Sequence, residues 1–155
     1  MRARIKNPVF TLPGTREALL SIHKATANCG VPRSTFELMN LRASQVNGCS
    51  VCVDMHSRIL KKLGEKDVRI FTVSAWREAP YFSDAERAAL GLTEAVSRVS
   101  DSADPVPDEV WEEAARHYDE TQLGALVMTI GVINLWNRLN TATRQVGGDF
   151  IEQYI

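Results

Sequence analysis

Glu37, Cys49, Cys52 and His56 fall within one window, ELMNLRASQVNGCSVCVDMH, and carry side chains that do chemistry. The cysteines are three positions apart and the histidine follows four after the second. On a helix these offsets lie on one face, so a helix starting at Cys49 would line up all three. A close dithiol beside an imidazole and a carboxylate has the parts of a thiol–disulfide redox centre.

A free thiol, with a pKa of about 8.5, is only about 3% thiolate at neutral pH. Lowering that value by about two units would make roughly three quarters of it thiolate. Two local features push that way. Gly48-Cys49 sits where a helix should start, and the unpaired backbone N–H groups there favour an anion. His56, one turn beyond Cys52, is placed to accept a thiol proton or to face the thiolate as imidazolium. Glu37, on the preceding helix, is placed to orient that ring, and its neighbours Phe36 and Leu38 suggest partial burial. Once one thiolate becomes a sulfenic acid, the second can attack it and close a disulfide that a reductant reopens.

The same four residue types could instead be zinc ligands, or the thiols could be inert and buried. Against zinc, a metal-binding CxxC usually sits in a turn, structural sites rarely use Glu, and no second CxxC exists. Redox chemistry is the preferred reading.

These residues need elements to hold them, and helical periodicity recurs along the whole chain with no convincing strand pair. Helices are expected over about 15–28, from Ser34 to the Asn47-Gly48 break, and from Cys49 to a stop at Gly64. A shorter piece should cover Asp67 to Trp76. Ser83 with Glu86 has the form of a capping box ahead of an apolar period reaching Val99. Pro107 or Asp108 opens an acidic helix to about Tyr118. Asp119 with Gln122 caps a long apolar helix to about Gln145. The expected fold class is all-α, about seven helices, as one domain over 1–155.

Eighteen Lys+Arg against 19 Asp+Glu leave no basic stripe for nucleic acid or an anionic membrane. The apolar stretch from Leu123 to Trp136 is interrupted by Gly124, Thr129, Gly131 and Asn134, so it reads as a core helix, not a span. Three cysteines, with no apolar run of signal-peptide length near the start, point to the cytoplasm.

Among other residues, Cys29 reads as a packed or idle thiol and His23 as structural. His117 suits the C-terminal end of its helix dipole. Trp76, Tyr81 and Trp136 fit the core better than a pocket wall. Asn134, Asn137 and Arg138 are expected to tie helices or subunits together by hydrogen bonds.

The window and its continuation, ELMNLRASQVNGCSVCVDMHSRILKKLGEKDVRI, resemble the alkylhydroperoxidase D / carboxymuconolactone decarboxylase superfamily, with its Glu, a twelve-residue step to CxxC, then His. WREAPYFSDAERAALGLTEAVSRVSD and INLWNRLN extend the resemblance over about 30–145. It implies an all-helical domain assembled as a trimer or hexamer. It also implies a dithiol peroxidase in antioxidant defence that binds no cofactor and draws electrons from a lipoyl-carrying or thioredoxin-type donor. By motif position Cys52 would attack the peroxide, Cys49 would resolve, and His56 with Glu37 would relay protons. The helix-start argument alone favours Cys49 as the more acidic thiol. Between the cysteines the best-characterised peroxidases of the family carry histidine, and many relatives tyrosine; here Ser50-Val51 stands instead. A relay step needing a protic group at 51 is therefore absent, and a thiol–disulfide reductase or redox sensor is the alternative. A non-catalytic zinc-binding oligomer is the third reading.

Overall fold

Where the sequence supplies a capping side chain, the chain starts a helix. A computed structural model describes residues 2–148 and, among them, contains seven α-helices and no strand. In order these are α1 (Thr15–Thr26), α2 (Arg33–Val46), α3 (Ser50–Lys62), α4 (Asp67–Thr72), α5 (Asp84–Ser97), α6 (Asp108–His117) and α7 (Glu120–Thr143). Short 3₁₀ turns at Pro8–Phe10 and Val73–Ala75 complete the set. Both expected capping boxes form: Ser83 with Glu86 opens α5, and Asp119 with Gln122 opens α7. No helix among the described residues is long and apolar enough to cross a membrane.

Helix α2 is the central post, buried almost all round. Phe36 and Met39 pack with Leu92, Leu126 and Ile130 of α5 and α7. Leu38 and Leu41 face the other way, against Leu60, Val73, Trp76 and Leu90. A helix with two apolar faces has only a narrow strip left for polar groups. In α2 that strip holds Glu37, Asn40 and Ser44, all buried. Burying such groups is costly unless they are bonded. Ser44 accordingly donates to the Asn40 carbonyl at 2.7 Å and accepts from Asn137 at 3.1 Å. Asn47 donates to both Asn134 and Asn137, as expected for polar residues that tie helices together.

A second buried polar knot joins α2 to α5. Glu94 of α5 accepts from Arg42 Nε at 2.6 Å and from Trp76 Nε1 at 2.9 Å, and pairs with Arg77. Burial works against charge on Glu94. The hydrogen bonds from Trp76, Arg77 and Arg42, with the Arg42 charge, outweigh it and hold the carboxyl below its usual range.

Three helices end in the same way. After α2 the Cys49 N–H bonds to the Ser44 carbonyl and the Gly48 N–H to Gln45, with Gly48 left-handed at φ 67°. After α3, Glu65 bonds back to Leu60 and Gly64 to Lys61, with Gly64 at φ 82°. After α7 the bonds run from Gln145 to Asn140 and from Arg144 to Thr141. This is the Schellman arrangement, whose left-handed position favours glycine because it has no Cβ. In α7 that position is filled by Arg144, at φ 53° and ψ 46°, which alone among the described non-glycine residues has positive φ.

Candidate active site

The turn that stops α2 also starts α3. Cys49 is at once the residue beyond the Gly48 turn and the N-cap of α3, where its sulfur accepts from the Cys52 N–H at 3.4 Å. Cys49 and Cys52 are joined as a disulfide, with Cα atoms 5.4 Å apart. Both sulfurs therefore sit at the positive end of α3, where a thiolate is stabilised by the helix dipole. Cys52 Sγ also accepts from Asn140 Nδ2 at 3.2 Å. Asn140 Oδ1 in turn accepts from Asn7 Nδ2 at 2.7 Å, a short amide chain from the N-terminal segment to the sulfur.

Glu37 reaches His56 across the α2–α3 interface: Nδ1 lies 2.7 Å from Oε2, and both side chains are buried. A carboxylate can only accept, so Nδ1 donates to Glu37, and in the neutral ring the lone pair is then on Nε2. Nε2 is buried and has no hydrogen-bond partner among the described residues. An unsatisfied imidazole nitrogen one helical turn from a cysteine is well placed to exchange a proton there.

Cys52, His56 and Glu37 open onto a cavity of about 680 Å³. Its walls are mainly apolar, including Phe10, Leu19, Val31, Phe36, Ile133 and Trp136, with the Phe10 and Trp136 rings 6.4 Å apart. Lys6, Arg16 and Arg33 also line it. Cys49 does not line this cavity. It faces a second one, of about 380 Å³, with Arg2, Ser50 and Arg144. Val51, Asn140 and Gln145 line both and form the wall between them.

The single helical stripe expected for Cys49, Cys52 and His56 is thus divided. Cys52 and His56 share a face of α3, while Cys49 is an extended N-cap outside the helix and looks the other way. His23, expected to be structural, lines the large cavity. Partial burial lowers its pKa, Glu37 pulls it up and His56 pushes it down, and the net direction is downward. Trp76 belongs to the core as expected, but Trp136 walls the cavity. Arg138 bonds to Asn134 of its own helix. Among the described residues no group of three or more His, Cys, Asp or Glu side chains is arranged to hold a metal.

The model of the carboxymuconolactone decarboxylase family matches residues 13–95, more than half of the chain. The chain belongs to that family. Uncharacterized protein YdfG of Bacillus subtilis is 38% identical over 130 residues, covering 84% of this chain and 87% of its own. Alkyl hydroperoxide reductase AhpD of a Bradyrhizobium species is 46% identical over 48 residues, which are 31% of this chain and 26% of AhpD. In three dimensions, protein ATU0492 of Agrobacterium tumefaciens superposes with a TM-score of 0.86 at 30% identity. That match covers 96% of this chain and 99% of ATU0492, a protein of unknown function described as a candidate antioxidant defence protein AhpD. The family's AhpD-like helical fold is therefore the fold of this chain.

Proposed function

We propose that this protein is a thiol-dependent peroxidase that reduces organic hydroperoxides through a Cys49/Cys52 dithiol–disulfide cycle. The observation that carries the reading is the placement of Cys52 and the His56–Glu37 pair together on one largely apolar cavity. In the reduced protein His56 Nε2 takes the Cys52 proton. The thiolate attacks the distal peroxide oxygen, the O–O bond breaks, and the alkoxide leaves as alcohol with the proton from His56. Cys52 is then a sulfenic acid. Cys49 thiolate attacks its sulfur, hydroxide departs as water after protonation, and the disulfide forms. Two electrons from an external thiol reopen it. Lipoyl-carrying or thioredoxin-type proteins are the donors that the resemblance to peroxidases of this family implies.

The direct test is stoichiometric. Fully reduced protein treated with one equivalent of cumene hydroperoxide should yield one equivalent of alcohol and lose two alkylatable thiols per chain. Both thiols remaining alkylatable, with the peroxide intact, would sink the proposal.

Replacing Glu37 by Gln keeps a hydrogen-bond acceptor for Nδ1 but removes the charge that supports an imidazolium. Peroxide turnover should fall about ten- to a hundredfold with little change in melting temperature. An unchanged rate would mean that His56 moves no proton in the slow step.

A second reading rests on Val51, which sits in the wall between the two cavities and offers no proton. On that reading the dithiol serves disulfide exchange or redox sensing and peroxide turnover is slow. Rapid exchange with disulfide substrates, without peroxide loss, would select it.

A further inference from the structure

The disulfide is a partition, with one sulfur on each of two cavities. Thiol–disulfide exchange needs the incoming sulfur in line with the bond that breaks. Cys49 lines the smaller cavity, so a thiolate entering there approaches the Cys49 end of the bond, and attack on that sulfur makes Cys52 the leaving group. That leaving sulfur emerges beside the Asn140 amide and one turn from His56, where an anion is received. Reduction from this side leaves the large cavity free.

The smaller cavity carries its own selectivity. Arg2 and Arg144 both line it, and neither has an ion-pair partner among the described residues. Arg144 is the residue held left-handed where the equivalent turns after α2 and α3 use glycine. A side chain there costs about 1 kcal/mol relative to glycine. Strain of that kind points to a use for the side chain. At about 380 Å³ the space suits a small molecule rather than the face of a folded protein.

We infer that the Cys49-side cavity is the entry site for the reductant, and that it selects small thiols bearing a carboxylate, which Arg144 and Arg2 attract. The inference rests on the redox reading of the dithiol and puts a small-molecule donor in place of the protein donors that the family resemblance implies. The chemistry balances with two thiols. The first thiolate bonds to Cys49 Sγ, the Cys49–Cys52 bond breaks, and its electron pair leaves on Cys52, which takes up a proton. A second thiolate attacks the sulfur of the bound thiol. This releases Cys49 as thiolate, which is protonated, and a small-molecule disulfide. Two thiols are oxidised and one protein disulfide is reduced.

The test uses three thiols that differ only in their end group: anionic 3-mercaptopropionate, neutral 2-mercaptoethanol and cationic cysteamine. The protein is oxidised with diamide rather than peroxide, and second-order rate constants for reopening the disulfide are measured at low salt. Arg144→Gly suits the left-handed turn, so its melting temperature should match or exceed the native value. Reduction by 3-mercaptopropionate should slow about five- to tenfold relative to native protein, more in Arg144→Glu, and the loss should shrink as salt is added. Reduction by 2-mercaptoethanol should be unchanged and by cysteamine faster. Equal changes for all three thiols would overturn the inference. Because no peroxide is used, charge-selective reduction would stand in a protein that ignores hydroperoxides. Charge-blind reduction would end this inference and leave the peroxidase reading intact.

Discussion

Cys52→Ser is expected to lower hydroperoxide turnover by at least about a thousandfold while leaving the fold unchanged. A hydroxyl of similar size is far less ionised than a thiol and cannot form the sulfenic acid or the disulfide. The informative comparison is Cys49→Ser, which should still consume one equivalent of hydroperoxide per chain and then stop, because nothing resolves the sulfenic acid. Stopped-flow consumption with a dimedone-type sulfenic acid trap separates the two variants. Single-turnover consumption by Cys52→Ser, and none by Cys49→Ser, would reverse the assignment. Nearness to the helix start favours that reversed order, since Cys49 is the N-cap of α3 and Cys52 lies inside it. The proposed order instead follows the cavities, because Cys52 lines the large one with His56 and Cys49 does not.

The second large effect is on stability. Glu94→Ala should destabilise the protein by about 3 kcal/mol or more, since removing one partner of a buried ion pair strands the other. Arg42 and the Trp76 indole N–H lose their acceptor together, and Arg42 is itself mostly covered. Arg77 is exposed enough to be rehydrated, so its pair with Glu94 adds little. Glu94→Gln should cost less, because it keeps an acceptor for one donor. Chemical denaturation of the three proteins at pH 7 measures the difference. The pH dependence follows from the lowered pKa of Glu94. Its contribution is present above the ordinary carboxylate range and is lost as pH falls through the depressed folded-state value, where the unfolded chain binds the proton more readily. Glu94→Ala should flatten that acidic limb. A variant as acid-sensitive as native protein would assign the limb to other groups, Glu86 with Arg69 being the next such pair.

Local signals in the sequence were a good guide to local structure. The two capping boxes and the Gly48 and Gly64 stops depend on residues within one turn of each other, and each forms as read, whereas the helix expected to begin at Cys49 begins at Ser50 with Cys49 as its N-cap. The Glu37–His56 contact was legible only as a possibility, because it depends on how α2 packs against α3. The cavity walls were less legible still. His23 and Phe10 come from the N-terminal region and Trp136 from α7, and nothing in their spacing relates them to the cysteines. Asn140 did carry a signal that went unused: it extends the Asn134, Asn137 series at helical spacing, and that strip faces α2 and the sulfur. Arg144 gave no warning, since a left-handed arginine is set by the hydrogen bonds that close α7.

Residues 2–12 are laced to the far end of α7 by Arg4 to Ala142 and Thr143, and by Gln145 to Ile5. They contribute Lys6, Asn7 and Phe10 to the large cavity, yet they precede residue 13, where the family match begins. Part of the cavity wall is therefore written outside the stretch that carries Glu37, Cys49, Cys52 and His56, while Leu19, Val31 and Phe36 lie within it or beside it in the family match. Exchanging this strap for another is a way to retune which molecules enter without rewriting the sulfur chemistry beneath it.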